Sequence, residues 1–103
     1  MNDKTEFGLV QVTVAGVAHH NTFDDLRGLG IGSTLTLTRE PENPHDRNAV
    51  LVGWSGRKLG YIPRNIAPLV ARVMDAGYPL HGVTCLGSDG FSIIILVVMA
   101  RAV

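Results

Sequence analysis

His45 and Asp46 stand side by side in the segment R-E-P-E-N-P-H-D-R-N-A-V, residues 39–50. An imidazole beside a carboxylate is a pairing that general acid–base chemistry uses. Such chemistry also needs a nucleophile or an electrophile, and the sequence specifies neither: it holds no G-x-S-x-G, no P-loop lysine motif and no H-E-x-x-H. An aspartate that opens a strand after a proline turn serves more often as a backbone acceptor. The four histidines and the single cysteine lack metal-ligand spacing. Nothing in that spacing calls for a zinc site built from His19, His45, His81 and Cys85. No metal, no cofactor and no catalysis are therefore expected, and the chemistry on offer is that of recognition.

The loop itself is built for recognition. Pro41 and Pro44 fix φ and remove backbone donors, while Asn43 and Asp46 can hydrogen-bond their own backbone. The same residues also make up ordinary turn chemistry. What sets this loop apart is that it would hold a histidine, a carboxylate and two asparagines in one arrangement, on a scaffold of strands.

The elements that position it can be read from periodicity. Thr34 to Arg39 alternates strictly, with Leu35 and Leu37 on one face. Ala49 to Trp54 is a second strand and Arg57 to Ile62 a third, joined by a tight turn at Ser55-Gly56. Earlier, Phe7 to Ala15 alternates through Leu9 or Val10, Val12 and Val14, with a bend at Gly16. His19-His20-Asn21 reads as a polar loop, and Asp24–Leu29 as a short helical turn. The main helix falls at about 65–76, where Ile66, Leu69, Val70, Val73 and Met74 form one apolar stripe. Asn65 is placed to cap it, Pro68 lies in its first turn and Gly77 ends it. Leu80–Leu86 and Phe91–Met99 are late strands around the turn Gly87-Ser88-Asp89-Gly90. The last is apolar at nearly every position, as a central strand would be. The pattern predicts a mainly β fold: a small β-barrel, closed or partly open, with one main helix.

Composition bounds the rest. The 103 residues fit one domain, 46% hydrophobic and 17% charged, which is globular rather than disordered. Nine basic and nine acidic residues cancel, which argues against a strong, sequence-independent polyanion binder. Any nucleic-acid site must be local and modest in charge. Cys85 sits among apolar neighbours and reads as a buried structural thiol, and one cysteine excludes an internal disulfide. The N-terminal M-N-D-K-T-E lacks the apolar region of a signal peptide. Ile93–Ala100 is too short for a bilayer, which takes roughly 20 residues. A reducing cytoplasm is the expected compartment, with no membrane partner.

The order of these segments resembles the HIRAN domain family. The resemblance rests on Leu35 and Leu37 before R-E-P-E-N-P-H-D-R-N-A-V, on L-G-Y-I-P-R at 59–64 and on the helix ending D-A-G at 75–77. An A-G pair at 15–16 also fits. It runs from about Val12 to about Val98, within a single domain of residues 1–103. It implies a six-stranded OB-like barrel with a helix packed against it. It also implies a module found beside helicase-like ATPases, which grips the 3′ end of single-stranded DNA. In that mode aromatic residues stack on terminal bases, a loop aspartate receives the 3′-hydroxyl and basic residues hold phosphates; stacking contributes about 1–3 kcal/mol per base.

Carried over by position, Asp46 becomes the hydroxyl acceptor, His45 takes the place of a stacking tyrosine and Tyr61 lies on the strand lining the groove. Arg64 stands where a phosphate-binding lysine is expected, and Phe91 corresponds to an aromatic beside the end of the strand. His19 and His20 replace a pair of tyrosines, and Ala18 replaces an arginine. Arg39 and Lys58 are expected as further basic contacts. The reading is a non-catalytic module for single-stranded DNA or DNA ends, working beside a separate helicase or nuclease. The alternative is a protein-interaction module accompanying such an enzyme, which the neutral charge and the substituted aromatics favour.

Overall fold

A computed structural model describes residues 4–87 and 92–102. The elements run β1 (Lys4–Thr13), α1 (Val17–His20), β2 (Thr34–Arg39), β3 (Val50–Trp54), β4 (Arg57–Tyr61), α2 (Ala67–Asp75), β5 (Leu80–Gly87) and β6 (Ile93–Ala102). The strands form one antiparallel sheet in the order β1-β6-β5-β2-β3-β4. β6 lies between β1 and β5, the central place its apolar sequence predicts. Leu35 and Leu37 point inward on β2 while Thr34, Thr36 and Thr38 face outward. With Val50, Val52, Leu59, Ile95 and Val97 they fill the core.

The expected barrel is not closed. Its two edge strands, β1 and β4, do not pair along their lengths. They are tied at one point beyond the end of β1, where Ala15 and Tyr61 exchange two backbone hydrogen bonds of 2.8 and 2.9 Å. The reason is local. Gly16 takes φ 77°, a left-handed conformation that costs glycine nothing, and turns the chain out of the sheet into α1. The ladder that would close the barrel ends after a single pair. The turn also corrects the loop expected at His19-His20: both histidines sit on α1.

Gly60 makes the single pair possible. A Cβ there would collide with the carbonyl of Ala15 and lie 3.0 Å from a methyl of Val14. Nearby, Ser55 (φ 52°) and Gly56 (φ 75°) form the tight β3–β4 turn, with both central residues in the left-handed region that such hairpins require.

α2 is shorter than expected, and its apolar face is rotated. Ala67, Val70 and Ala71 are buried whereas Leu69 is 54% exposed. Asn65 does not cap it. Ile66 holds the cap position without a side-chain bond, and the Pro63 carbonyl instead accepts the N–H groups of Ile66 and Ala67 at 2.9 and 2.8 Å. The C-terminus follows expectation: Gly77 (φ 97°) donates to Met74 and Tyr78 donates to Val73, a Schellman closure. Val10, Val12 and Val14 carry the inward alternation around β1, and Leu9 is the extra residue at a bulge between Gly8 and Val10. Cys85 is half-buried rather than buried, its Sγ 3.7 Å from the Val83 carbonyl. The turn expected at Gly87–Gly90 lies, past Gly87, outside the described residues.

Replacing Gly60 by alanine is expected to destabilise the domain by at least about 2 kcal/mol, since the obstruction is backbone and cannot rotate away. Urea denaturation measures this, and hydrogen exchange at the Tyr61 amide should accelerate beyond the global effect.

Candidate nucleic-acid interface

The loop between β2 and β3 is stapled from within. Asn43 accepts the N–H groups of His45 and Asp46 on its Oδ1, at 2.9 and 3.2 Å. Asp46 accepts the N–H of Asn48 on Oδ1 at 2.9 Å. The backbone closes the base, with Glu40 donating to Ala49 at 3.0 Å. Asn43 and Asp46 thus satisfy their own backbone as their residue types suggest. Asp46 keeps its second oxygen, Oδ2, turned toward Arg64, whose Nε lies 3.9 Å away. Arg64 also donates to the His45 carbonyl.

Facing this loop, α1 lies against β4, and Asn21 holds it there. Its Nδ2 reaches the carbonyls of Val17, Lys58 and Leu59 at 3.1, 3.2 and 2.9 Å from a buried position. Three carbonyls around one amide nitrogen settle its orientation and leave Oδ1 without a partner among the described residues. On the solvent side the rings of His19 and His20 lie 6.5 Å apart, and those of His20 and Tyr61 6.3 Å apart, both edge to face. Lys58 Nζ sits 4.8 Å from the centre of the Tyr61 ring, a cation–π contact. Behind the ring, the Tyr61 hydroxyl donates to Glu40 Oε1 at 2.8 Å, and Asn43 Nδ2 donates to the same oxygen at 3.0 Å.

Loop, helix and strand enclose an open cleft of about 660 Å³. His19, His20, His45, Asp46, Lys58, Tyr61 and Arg64 line it, with Ala15, Ala49 and Ile62 as an apolar floor. Arg39 lies outside it. Its guanidinium grips Asp75 through two bonds of 2.9 and 3.2 Å and donates to the Ala49 carbonyl at 2.9 Å. Arg39 therefore clamps α2 and the end of the loop to the sheet. Phe91 lies outside the described residues.

The cleft carries two permanent cations, Lys58 and Arg64, against the one carboxylate of Asp46. Hydrogen bonds from Asn43 and then Tyr61, together with the charge of Lys58, hold the Glu40 carboxyl below its usual 4.5 against the opposing effect of partial burial. Partial burial, then the positive Lys58 and the neighbouring His19, lower the His20 imidazole below 6.5. His20 is therefore neutral at physiological pH, with a flat face and one ring donor to offer. Among the described residues no three His, Cys, Asp or Glu side chains gather to hold a metal. The surface can accept an anion and stack against planar groups.

Residues 7–89 match the model of the HIRAN domain. The chain belongs to the HIRAN domain family. Among curated relatives, the Fanconi-associated nuclease 1 homolog of Oryza sativa subsp. japonica is 29% identical over 82 residues, 76% of this chain and 8% of that protein. The helicase-like transcription factor of Mus musculus is 34% identical over 74 residues, 71% of this chain and 7% of that protein. The chain thus spans less than a tenth of the length of these relatives. Among solved structures, a protein from Lactobacillus plantarum superposes with a TM-score of 0.84 at 27% identity, covering 95% of this chain and 98% of that one. The HIRAN domain of HLTF in its DNA-bound conformation superposes with a TM-score of 0.66 at 22% identity, covering 97% and 80%. No helix among the described residues of this HIRAN domain is long and apolar enough to cross a membrane.

Sequence reasoning missed Asn21, Glu40 as a ring anchor and the apolar floor. Asn21 follows two histidines in what reads as a loop. Its role appears only once α1 and β4, 37 residues away at Lys58, are brought together.

Two outcomes are expected. Asn21→Ala removes the amide that three backbone carbonyls share and should cost about 1–3 kcal/mol, with the largest NMR shift changes at His19 and His20. Glu40 has a depressed folded pKa, so its contribution to stability is present above about pH 4.5 and is lost as pH falls through the folded value. Glu40→Gln should therefore lower the urea midpoint at neutral pH, and the gap to wild type should close as pH falls through the folded value.

Proposed function

We propose that this HIRAN domain binds single-stranded DNA, with a strand end seated in the cleft between the loop and α1. The observation that supports it most is the convergence of a half-free carboxylate (Asp46), two cations (Lys58 and Arg64) and three aromatic or imidazole faces (His20, His45, Tyr61) around one apolar-floored cleft. A terminal sugar hydroxyl donates to Asp46 Oδ2, Arg64 and Lys58 take the flanking phosphates, and bases stack on the rings. A phosphorylated end would set its charge against the carboxylate and be disfavoured. The DNA-bound conformation recorded for HLTF supports the same ligand class. The relatives named as a nuclease homolog and a helicase-like transcription factor support work beside a DNA-processing enzyme, with no chemistry of its own.

The test is fluorescence anisotropy with a labelled strand of about ten nucleotides bearing a 3′-hydroxyl, a 3′-phosphate or a blunt duplex end. Preference for the free hydroxyl, lost in Asp46→Ala, is the expected result, with affinity falling steeply as salt rises. Equal weak binding to all three ends would reduce the site to a generic groove, and binding indifferent to salt would favour a protein partner. A phosphate near His20 would favour its protonated form, so binding takes up a proton and should strengthen as pH falls from neutral toward the depressed His20 value. His20→Gln should flatten that dependence.

A further inference from the structure

Two further hollows adjoin the cleft, one on each side, and they differ in charge. One, of about 430 Å³, lies over the β3–β4 turn and is lined by His20, Ser55, Gly56, Arg57 and Lys58. The other, of about 640 Å³, lies across the Tyr61 ring and includes Glu40 and Glu42 in its wall. His20 and Lys58 line both the cleft and the turn hollow, and Asn43, His45, Lys58 and Tyr61 line both the cleft and the other hollow, so each is continuous with the cleft. A chain of phosphates leaving the cleft has one exit past Arg57 and Lys58 with no carboxylate in its wall, and another where Glu40 and Glu42 offset Arg39 and Lys58.

We infer that the turn hollow is a second phosphate subsite, and that a bound strand leaves the cleft across the β3–β4 turn rather than over Glu40 and Glu42. This rests on the single-strand reading above. Arg57 is held in place from the far side, its Nη2 3.1 Å from Asp25 Oδ1 while its side chain stays 41% exposed. Asp25 in turn accepts the Thr22 N–H at 2.7 Å and sits below the usual carboxylate range, through that bond first and the charge of Arg57 last. The guanidinium is thus tethered at one edge with its remaining donors free for a phosphate, an arrangement that lowers the ordering cost of binding. The turn fixes the Ser55 hydroxyl at the same rim through its left-handed backbone. The opposite wall offers no such donor: Arg39 is spent on Asp75 and the Ala49 carbonyl, Lys58 is common to both hollows, and Glu40 is already committed to Tyr61 and Asn43.

Ser55→Asp tests the route with little risk to folding, because Asp followed by Gly suits a turn with two positive φ angles. Glu42→Lys is its counterpart on the other wall. Oligothymidylates of two and of about ten nucleotides are titrated against wild type and both variants over a range of salt. Ser55→Asp should weaken the long strand about threefold to tenfold and lower its salt slope by about one, leaving the dinucleotide unchanged. Glu42→Lys should leave both within about twofold of wild type. Long-strand binding unaffected by Ser55→Asp but tightened by Glu42→Lys would overturn the route, as would equal effects on both lengths. Failure of the wild type to bind either strand would instead sink the single-strand reading itself.

Discussion

Ala15 and Tyr61 can pair only because residue 60 has no side chain. That close approach of two backbones is the constraint on which the rest of the site depends. It fixes where the chain leaves β1, and so where Gly16 turns and where α1 begins. It holds β4 under that turn, so that Asn21 can reach two β4 carbonyls and the His20 ring comes within 6.3 Å of Tyr61. A side chain at residue 60 would separate the edges of the sheet, and the cleft would lose one wall and part of its floor together. A closed barrel would have lost it too: further pairing of β1 with β4 would carry the chain straight on, where α1 now stands.

The other wall is held by a different kind of force. Asn43 and Asp46 replace missing backbone ladders with their own side chains, and Pro41 and Pro44 remove donors that would otherwise need partners. Arg39 then anchors the loop base and α2 together. This is why a strand-end arginine that reads as a phosphate contact is occupied with structure. Its planar fork suits the two oxygens of Asp75 and still leaves a donor for the Ala49 carbonyl.

Legibility in the sequence followed the range of the interactions. Period-two alternation located β2, and an apolar run with the Ser55-Gly56 turn located β3 and β4, each to within a residue, because these signals are local properties. The Ser55-Gly56 turn and the Gly77 closure were equally local. α1 was not legible: four residues with two histidines carry no helical period, and their helix exists because Gly16 turns the chain and Asn21 docks it. The rotation of α2 escaped for a related reason. Ala67 and Ala71 permit close approach to the sheet, while the larger Leu69 is left outside, so size outweighed hydrophobicity. Open against closed was a matter of one residue pair between distant segments. The site residues named from the loop, α1 and β4 converge because those elements converge; Arg39 departs because its partner, Asp75, lies 36 residues away.

A neutral chain cannot gather a polyanion from a distance by its overall field. In the proposed role, affinity has to arise after contact, from faces and charges already held in place. The structure spends its polar bonds accordingly. Tyr61 is fixed by Glu40, Glu40 by Asn43, Arg57 by Asp25 and α1 by Asn21, so little side-chain freedom remains to be lost on binding. In the proposed role the histidines offer less stacking area than larger aromatics would, but their charge could answer a phosphate. At neutral pH His20 stays uncharged beside Lys58, which limits repulsion within the cleft, and in the proposed role a bound phosphate would favour its protonated form. Such a site trades reach for conditional grip, and it needs no basic excess elsewhere in the chain.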